Sequence, residues 1–123
     1  MKVEKTREDR GYHKAFIMDM DGVINRGNSL IPGAKKFVSR LRKGGYRFLF
    51  LTNNSYHAPF ELRERLAHTG IDVDEDHFYT SAMATASFLK YQKPGCSAYV
   101  IGGRGLLREL ENAGISITSV SYT

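Results

Sequence analysis

The 123-residue chain has a single cysteine, three prolines and no tryptophan. Because Cys96 has no second cysteine to pair with, an intrachain disulfide framework is excluded and a reducing cytoplasm is favoured. No apolar run approaches the roughly 20 residues that a membrane-spanning helix requires. The first ten residues are charged throughout and lack the apolar stretch of a secretory signal. We therefore expect a cytoplasmic protein without a membrane-embedded part.

The chain carries a formal net charge of +5, but its basic residues are not concentrated in one segment. Scattered lysines and arginines indicate a solvated surface, and the tyrosines lack the clustering of a base-stacking platform. Nucleic acid is therefore disfavoured as a partner. Residues 1–14 are predicted to form a charged N-terminal tail. The remaining chain is hydrophobic enough to form a core, since apolar residues make up 41% of the sequence.

The order of apolar runs indicates strands that alternate with helices. Residues 15–19 and 46–51 read as buried strands, separated by a polar loop at 20–31 and a helix that begins at Pro32 and stops at the glycines 44–45. Strand–helix–strand units of this length pair their strands in parallel through a right-handed crossover. The sequence therefore predicts an α/β fold with a Rossmann-like parallel sheet.

A second round of similar elements follows. A helix is predicted over 59–69, capped by Asn54 or Ser55 and stopped by Gly70. Further predicted elements are a strand at 78–80, a helix that Ser81 caps and that runs to about residue 91, a strand at 98–101, a helix at 106–112 and a strand from 115. We place a boundary near residue 80, with 15–80 as the first half of a core and 81–123 as the start of a second unit.

Polar residues follow the first two strands where each strand ends. Asp19 and Asp21 lie at the end of the first strand, and Thr52 directly follows the second. Ligands of open α/β sheets bind outside the carboxyl ends of the strands. An Asp-x-Asp pair alone is common in turns, but Asp-x-Asp-Gly after a buried strand, followed about 30 residues later by Thr-Asn-Asn after another, is far more specific. One crevice is therefore predicted to contain all three side chains.

These residue types suit phosphoryl transfer. Asp19 can attack phosphorus as a nucleophile, and Asp21, which an extended backbone would point the same way, can protonate the leaving oxygen. Gly22 permits close approach of the backbone to a phosphate. The Thr52 hydroxyl and the Asn53 amide can bind phosphoryl oxygens. Mg²⁺ prefers oxygen ligands, which the carboxylates of this crevice supply.

Three other patterns have simpler structural explanations. The acidic residues at 72–76 favour a turn and a helix start over a cation site. The glycine-rich segment 102–105 fits a tight strand–helix turn better than a phosphate cradle, because it matches neither the dinucleotide nor the P-loop spacing. The four histidines show no paired metal-ligand spacing.

The two strand-end segments resemble motifs of a known superfamily. Residues 15–23 resemble the first motif of the haloacid dehalogenase-like hydrolases, and residues 50–55 resemble their second motif in the form used by the NagD-type branch of nitrophenyl and sugar phosphatases. Segments 80–82 and 99–110 also resemble that branch, where they lead from the core into an inserted α/β cap. The resemblance covers nearly all of residues 15–117.

The resemblance implies a Mg²⁺-dependent phosphatase acting on a small phosphorylated metabolite through an aspartyl-phosphate intermediate. Asp19 would be the nucleophile and a metal ligand, and Asp21 would be the acid/base and would give the metal its main-chain oxygen. Thr52 and Asn53, with the adjoining Asn54, would hold the phosphoryl group. The loop at 22–31 would be a mobile flap beside the site.

The chain departs from the superfamily pattern in one respect. The third motif, a lysine, and the fourth, an acidic pair, follow the cap in that family, and neither is found here; Lys93-Pro94 comes too early and reads as an ordinary turn. The sequence therefore looks like the first part of such an enzyme. The alternative is a catalytically incomplete fragment or interaction module. In either case we expect an open sheet edge that favours a partner or a homo-oligomer.

Overall fold

The computed structural model describes residues 14–121, so the predicted tail falls outside the described residues except for its last position. The strands are β1 (Ala15–Asp19), β2 (Asn25–Arg26), β3 (Ser29–Leu30), β4 (Arg47–Thr52), β5 (Phe78–Thr80), β6 (Ser97–Ile101) and β7 (Ser116–Ser121). The helices are α1 (Ala34–Lys43), α2 (Pro59–Thr69), α3 (Ser81–Gln92) and α4 (Arg104–Asn112). Within residues 14–121, no helix is both long and apolar enough to cross a bilayer.

Strands β1, β4 and β5 form a parallel sheet in the order β1-β4-β5. In this register Asp19 lies beside Leu51, and Thr52 lies beside Thr80. All three strands therefore end at the same edge of the sheet. The predicted α/β class with a parallel sheet is confirmed.

Alternation along the strands places large apolar side chains on one sheet face, where α1 and α2 cover them. Phe50 is fully buried at the centre of this face, and its ring lies 5.3 Å from that of Phe78. The other buried members of the cluster are Met18, Met20, Ile24, Ala34, Val38, Leu41, Phe48, Leu62, Leu66, Ile71 and Val73. This packing fixes the strand ends relative to the start of α2, and so shapes the edge where the site lies.

A second, smaller cluster lies in the later part of the chain. Strands β6 and β7 pair in parallel, and their apolar residues pack with α3 and α4 around Ala86, Val100, Leu110 and Ile115. The division of the chain into a core part and the beginning of a cap stays a prediction. The buried apolar residues form two clusters, which separate near the predicted boundary.

Several element boundaries differ from the sequence prediction by one or two residues, and two of these differences bear on the elements next to the carboxyl edge of the sheet. Helix α1 begins at Ala34 because Gly33 adopts a left-handed conformation, with φ of 89°, which a helix cannot include. Strand β4 extends to Thr52, one residue beyond the expected end. Thr52 is thus the last residue of the strand rather than the first of the loop.

The expected helix caps of α2 and α3 are wrong. The residue before α2 is Ala58, and its N–H is bound by the Glu61 carboxylate at 3.1 Å. Helix α3 is capped by the Thr80 hydroxyl, which accepts from the Met83 N–H at 3.2 Å, and not by Ser81. Sequence reasoning placed the α2 cap too early because Asn54 also fits a loop turn.

The predicted polar loop at 20–31 contains a small antiparallel hairpin formed by β2 and β3. It is anchored by Ile24, whose side chain is buried in the main cluster, and by a hydrogen bond of 2.9 Å from the Ile31 N–H to the Ile24 carbonyl. The Ile24 side chain therefore attaches this loop to the core. The prediction of a polar loop overlooked this contact.

Candidate active site

A cavity of about 160 Å³ opens at the carboxyl edge of the sheet, between the turn after β1, the end of β4 and the inner face of α2. Its lining comprises Met20, Asp21, Asn25, Gly27, Thr52, Asn54, Leu62, Arg65 and Leu66. Three of the residues predicted from the sequence, Asp21, Thr52 and Asn54, therefore meet around one space. The cavity is large enough for a phosphoryl group and a few waters.

Asp19 lies at the same edge but outside this lining. It is the exposed last residue of β1, and its Oδ1 accepts a hydrogen bond of 2.8 Å from the Met20 N–H. In register it adjoins Leu51, the residue before Thr52. The backbone bends at Met20, so simple strand alternation does not relate the directions of Asp19 and Asp21.

The turn after β1 is ordered by its own backbone. The Met20 carbonyl accepts from the N–H groups of Val23, Ile24 and Asn25 at 3.2, 2.9 and 3.2 Å. Gly22 donates to the Asn25 carbonyl at 2.8 Å and has a φ of 81°, which a residue with a side chain rarely adopts. Asp21 therefore lies in a hydrogen-bonded turn, and the geometry of this turn depends on Gly22.

The loop after β4 is ordered by Thr52 and Asn54. Thr52 is 6% exposed, and its hydroxyl accepts from the Asn54 N–H at 3.1 Å. The side-chain oxygen Oδ1 of Asn54 accepts from the N–H groups of Tyr56 and His57, at 2.9 and 3.0 Å, and its side-chain nitrogen Nδ2 lies 2.9 Å from Nδ1 of His57. Asn54 thus forms a side-chain turn that shapes the cavity wall.

Asn53 is placed differently from its two neighbours. It is exposed and does not line the cavity, and its carbonyl accepts from the Ser81 hydroxyl at 2.9 Å. This contact ties the loop to the first turn of α3.

Sequence reasoning missed two polar side chains of the cavity lining, those of Asn25 and Arg65. Arg65 lies on α2 three residues after Leu62, so both contribute to the same helix face, and its guanidinium nitrogen is 3.4 Å from the His57 ring. Asn25 has a buried side-chain oxygen with no hydrogen-bond partner among the described residues. The i, i+3 spacing on the predicted helix could have revealed Arg65, whereas the hairpin that positions Asn25 leaves little trace in the sequence.

The carboxylates fit part of a magnesium site. Mg²⁺ is commonly held by one or two carboxylates while waters and phosphate oxygens complete its shell. At the end of β1, Asp19 supplies one such carboxylate, and Asp21 offers a main-chain oxygen beside it. Within residues 14–121, no cluster of three or more His, Cys, Asp or Glu side chains is arranged to hold a metal ion. The observed donors therefore account for a partial shell.

The acidic segment 72–76, the turn at Lys93-Pro94 and the glycine-rich segment 102–105 do not line this cavity. The acidic residues at 72–76 are exposed and lead into a short 3₁₀ turn, Glu75–His77; among the described residues they belong to no cluster arranged to hold a metal. Lys93 and Pro94 are exposed at the turn after α3. In the glycine-rich segment, the Gly105 N–H donates to the Tyr56 carbonyl at 3.0 Å, so its close packing serves contact between the first turn of α4 and the loop after β4.

Comparison with protein families decides the classification. A model described as haloacid dehalogenase-like hydrolase matches residues 16–116. The chain belongs to this family. The resemblance noted at the two strand ends is confirmed, and the NagD-type branch is supported by individual relatives.

Among curated relatives, an acid sugar phosphatase from Staphylococcus aureus is 40% identical over 105 residues, covering 85% of this chain and 40% of the relative. NagD from Escherichia coli K-12 aligns in structure with a TM-score of 0.81 and 42% identity, over 86% of this chain and 42% of that one. A glycerol phosphate phosphatase from Mycobacterium tuberculosis, solved in complex with magnesium, aligns with a TM-score of 0.79 and 28% identity, over 86% of this chain and 32% of that one. The chain thus spans about two-fifths of the curated relatives it matches.

Proposed function

We propose that this hydrolase-family site cleaves phosphomonoesters in a Mg²⁺-dependent reaction through an aspartyl-phosphate on Asp19. The observation that carries the proposal is the shared edge: Asp19 ends β1 beside the strand that ends in Thr52, and Asp21 and Thr52 line the same cavity. A nucleophile, a proton carrier and a hydroxyl are thereby available to one small anionic group.

In the first step the Asp19 carboxylate attacks phosphorus while the bond from phosphorus to the ester oxygen breaks. Oδ1 of Asp19 already accepts the Met20 N–H, which leaves Oδ2 as the attacking atom. Asp21, in its protonated form, gives its proton to the departing oxygen, so the product leaves as an alcohol.

In the second step water attacks the phosphorus of the aspartyl-phosphate, and the bond to Asp19 breaks. Asp21, now ionised, takes a proton from that water, so inorganic phosphate is released and both carboxyl groups return to their starting states. Thr52 and the loop that begins at Asn53 are proposed to hold the phosphoryl oxygens throughout, helped by the nearby N-terminus of α2. Arg65 contributes positive charge to the same cavity wall.

Asp19 and the main-chain oxygen of Asp21 are the groups proposed to hold Mg²⁺. When bound, the ion supplies charge neutralisation for the phosphoryl group. The magnesium complex of the mycobacterial relative supports the choice of metal. The substrate class is a small phosphorylated metabolite, in line with the sugar and glycerol phosphates named for the relatives.

A second candidate is a catalytically incomplete module that keeps the fold and lacks turnover. It is favoured by the partial metal shell within residues 14–121. It is also consistent with the share of the relatives' length that the chain covers. This candidate predicts weak Mg²⁺ binding and negligible phosphate release.

Release of phosphate from 4-nitrophenyl phosphate, with and without Mg²⁺, distinguishes the two candidates. The proposal predicts Mg²⁺-dependent release that falls to background in Asp19→Asn and by about 10²–10⁴-fold in Asp21→Asn. Asp76→Asn is the matched control, because Asp76 is an exposed carboxylate in the distant 3₁₀ turn. Full activity in Asp19→Asn would refute the assigned nucleophile, and no release by the native chain would favour the incomplete module.

A further inference from the structure

Arg65 lies where two cavities meet. Besides the cavity that Asp21 and Thr52 line, a second space of about 230 Å³ lies between the β2–β3 hairpin and the later turns of α2. Asn25, Gly27 and Arg65 belong to both linings, so the two spaces adjoin. A ligand whose phosphoryl group occupies the first cavity can therefore extend past Arg65 into the second. We call the second space the side cavity, and its lining is Asn25, Gly27, Asn28, Arg65, His68 and Thr69.

The side cavity is suited to an anion. Within the described residues its lining contains no carboxylate and, besides Gly27, consists of two amides, a hydroxyl, an imidazole and a guanidinium. Amide, hydroxyl and guanidinium groups all donate hydrogen bonds, and a guanidinium keeps its positive charge in proteins. The charge and the donors together favour a negatively charged oxygen group over an apolar group or a cation.

The Arg65 guanidinium has donors available for such a ligand. Among residues 14–121 its polar contact is with Nδ1 of His57, at 3.4 Å, and it pairs with no carboxylate. Oδ1 of Asn54 is occupied by two backbone N–H groups, so Nδ2 of Asn54 faces Nδ1 of His57, which therefore acts as an acceptor. The same Nδ1 can accept from Arg65. This contact holds the guanidinium beside the loop after β4 and leaves most of its N–H groups for a ligand.

Asn25 adds an acceptor at the junction of the two cavities. Its Oδ1 is buried and has no hydrogen-bond partner among the described residues. Buried side-chain oxygens are rarely left unpaired in native proteins. A ligand hydroxyl can donate to this oxygen after rotation of the amide. The junction therefore suits a substrate that carries a hydroxyl near its anionic group.

We propose that the side cavity binds a carboxylate on the leaving part of the substrate, and that Arg65 thereby determines specificity for phosphomonoesters of hydroxy acids. One guanidinium balances the single charge of a carboxylate, whereas a second phosphate carries up to about two charges. The planar guanidinium can bind both oxygens of a carboxylate. The inference rests on the proposed function, since the phosphoryl group is taken to lie beside Asp21 and Thr52, and it adds the substrate class.

Two compounds with carbon chains of equal length test the assignment. One is 3-phosphoglycerate, which ends in a carboxylate, and the other is glycerol 3-phosphate, which ends in a hydroxymethyl group. Titration calorimetry gives both Kd values in buffer without added Mg²⁺, where the proposed reaction does not proceed. The native chain should bind 3-phosphoglycerate at least about fivefold more tightly, because only the carboxylate forms a charge-assisted hydrogen bond with Arg65. Arg65→Gln should reduce this preference to about twofold or less.

Arg63→Gln is the matched control, because Arg63 is exposed on the same helix, lines neither cavity and loses the same charge. It should keep the preference of the native chain. Both substitutions replace exposed side chains, and circular dichroism checks that the variants fold. Arg65→Lys is a second variant, which keeps the charge without the planar donor fork and should retain only part of the preference.

Three results would each overturn the proposal: no detectable binding of 3-phosphoglycerate, equal affinity of the native chain for the two compounds, or a preference that survives Arg65→Gln or falls equally in Arg63→Gln. The comparison is between two ligands and needs no turnover. A preference that depends on Arg65 would therefore support the side cavity even if the reaction on Asp19 failed, and phosphate release without any preference would overturn the side cavity alone.

Discussion

At the residue scale, three consecutive polar residues after β4 have three different roles. Thr52 is buried with its hydroxyl bonded to the loop, Asn54 closes a turn through its side chain, and Asn53 is exposed and contacts α3 through its carbonyl. The sequence identified the segment because polar residues follow an apolar strand. It could not separate their roles, because these depend on where the chain bends after the strand.

Replacement of Thr52 by valine tests the buried hydroxyl. The valine keeps the shape of the side chain but leaves the Asn54 N–H without its acceptor, and this should lower the free energy of unfolding by about 1–2 kcal/mol. Urea denaturation followed by circular dichroism measures the change. Thr52→Ser keeps the hydroxyl and should retain most of the stability; a smaller loss in Thr52→Val than in Thr52→Ser would show that the methyl group contributes more than the hydrogen bond.

At the element scale, boundaries were predictable where the signals are local. Helix α2 spans Pro59–Thr69 as predicted, because Pro59 suits the first helical position and Gly70, with φ of 100°, suits the left-handed stop. The start of α1 was missed because Pro32 carries the same signal, and only the conformation of Gly33 excludes it. The β2–β3 hairpin was missed because its strands have two residues each.

Contact between the first turn of α4 and the loop after β4 explains the glycine at position 105. A Cβ atom there would lie 2.6 Å from the Tyr56 carbonyl oxygen and 2.7 Å from that of Ser55, and neither backbone atom can move cheaply. Gly105→Ala should therefore break the hydrogen bond to Tyr56 and cost about 1–3 kcal/mol. It should also speed amide hydrogen exchange in residues 55–57.

Gly102→Ala is the matched control for this variant, because a Cβ at that position meets only the flexible Leu106 side chain, at 3.1 Å. Thermal unfolding and hydrogen exchange of both variants make the comparison. If Gly105→Ala is no less stable than Gly102→Ala and leaves exchange at 55–57 unchanged, the contact between α4 and the loop after β4 does not order the cavity wall.

At the scale of the whole molecule, two apolar clusters divide the chain close to the boundary that the sequence suggested. Leu41 is fully buried in the first cluster, and Leu110 is 2% exposed in the second. The parallel sheet and the alternation of helices and strands were predictable from periodicity. The sequence suggested only where a boundary lies. It could not show which apolar residues belong to each cluster, because that depends on packing between distant segments.

Cavity-forming substitutions test whether the clusters unfold separately. Leu41→Ala and Leu110→Ala should each cost about 2–5 kcal/mol within their own cluster. In native-state hydrogen exchange, Leu110→Ala should speed exchange of β6 amides and leave β4 protected, while Leu41→Ala should affect β4 first. If each variant accelerates exchange equally in both strands, the chain is one cooperative unit and the proposed division at residue 80 fails.

Chemical trapping of the intermediate tests the central claim most directly, because it identifies the residue that receives the phosphoryl group. The chain is mixed with 4-nitrophenyl phosphate and Mg²⁺, reduced with borohydride, which converts an aspartyl-phosphate to homoserine, and digested for mass spectrometry. The account predicts homoserine at position 19, absent when Mg²⁺ or substrate is omitted. Homoserine at another aspartate, or Asp19 recovered unmodified during turnover, would contradict it.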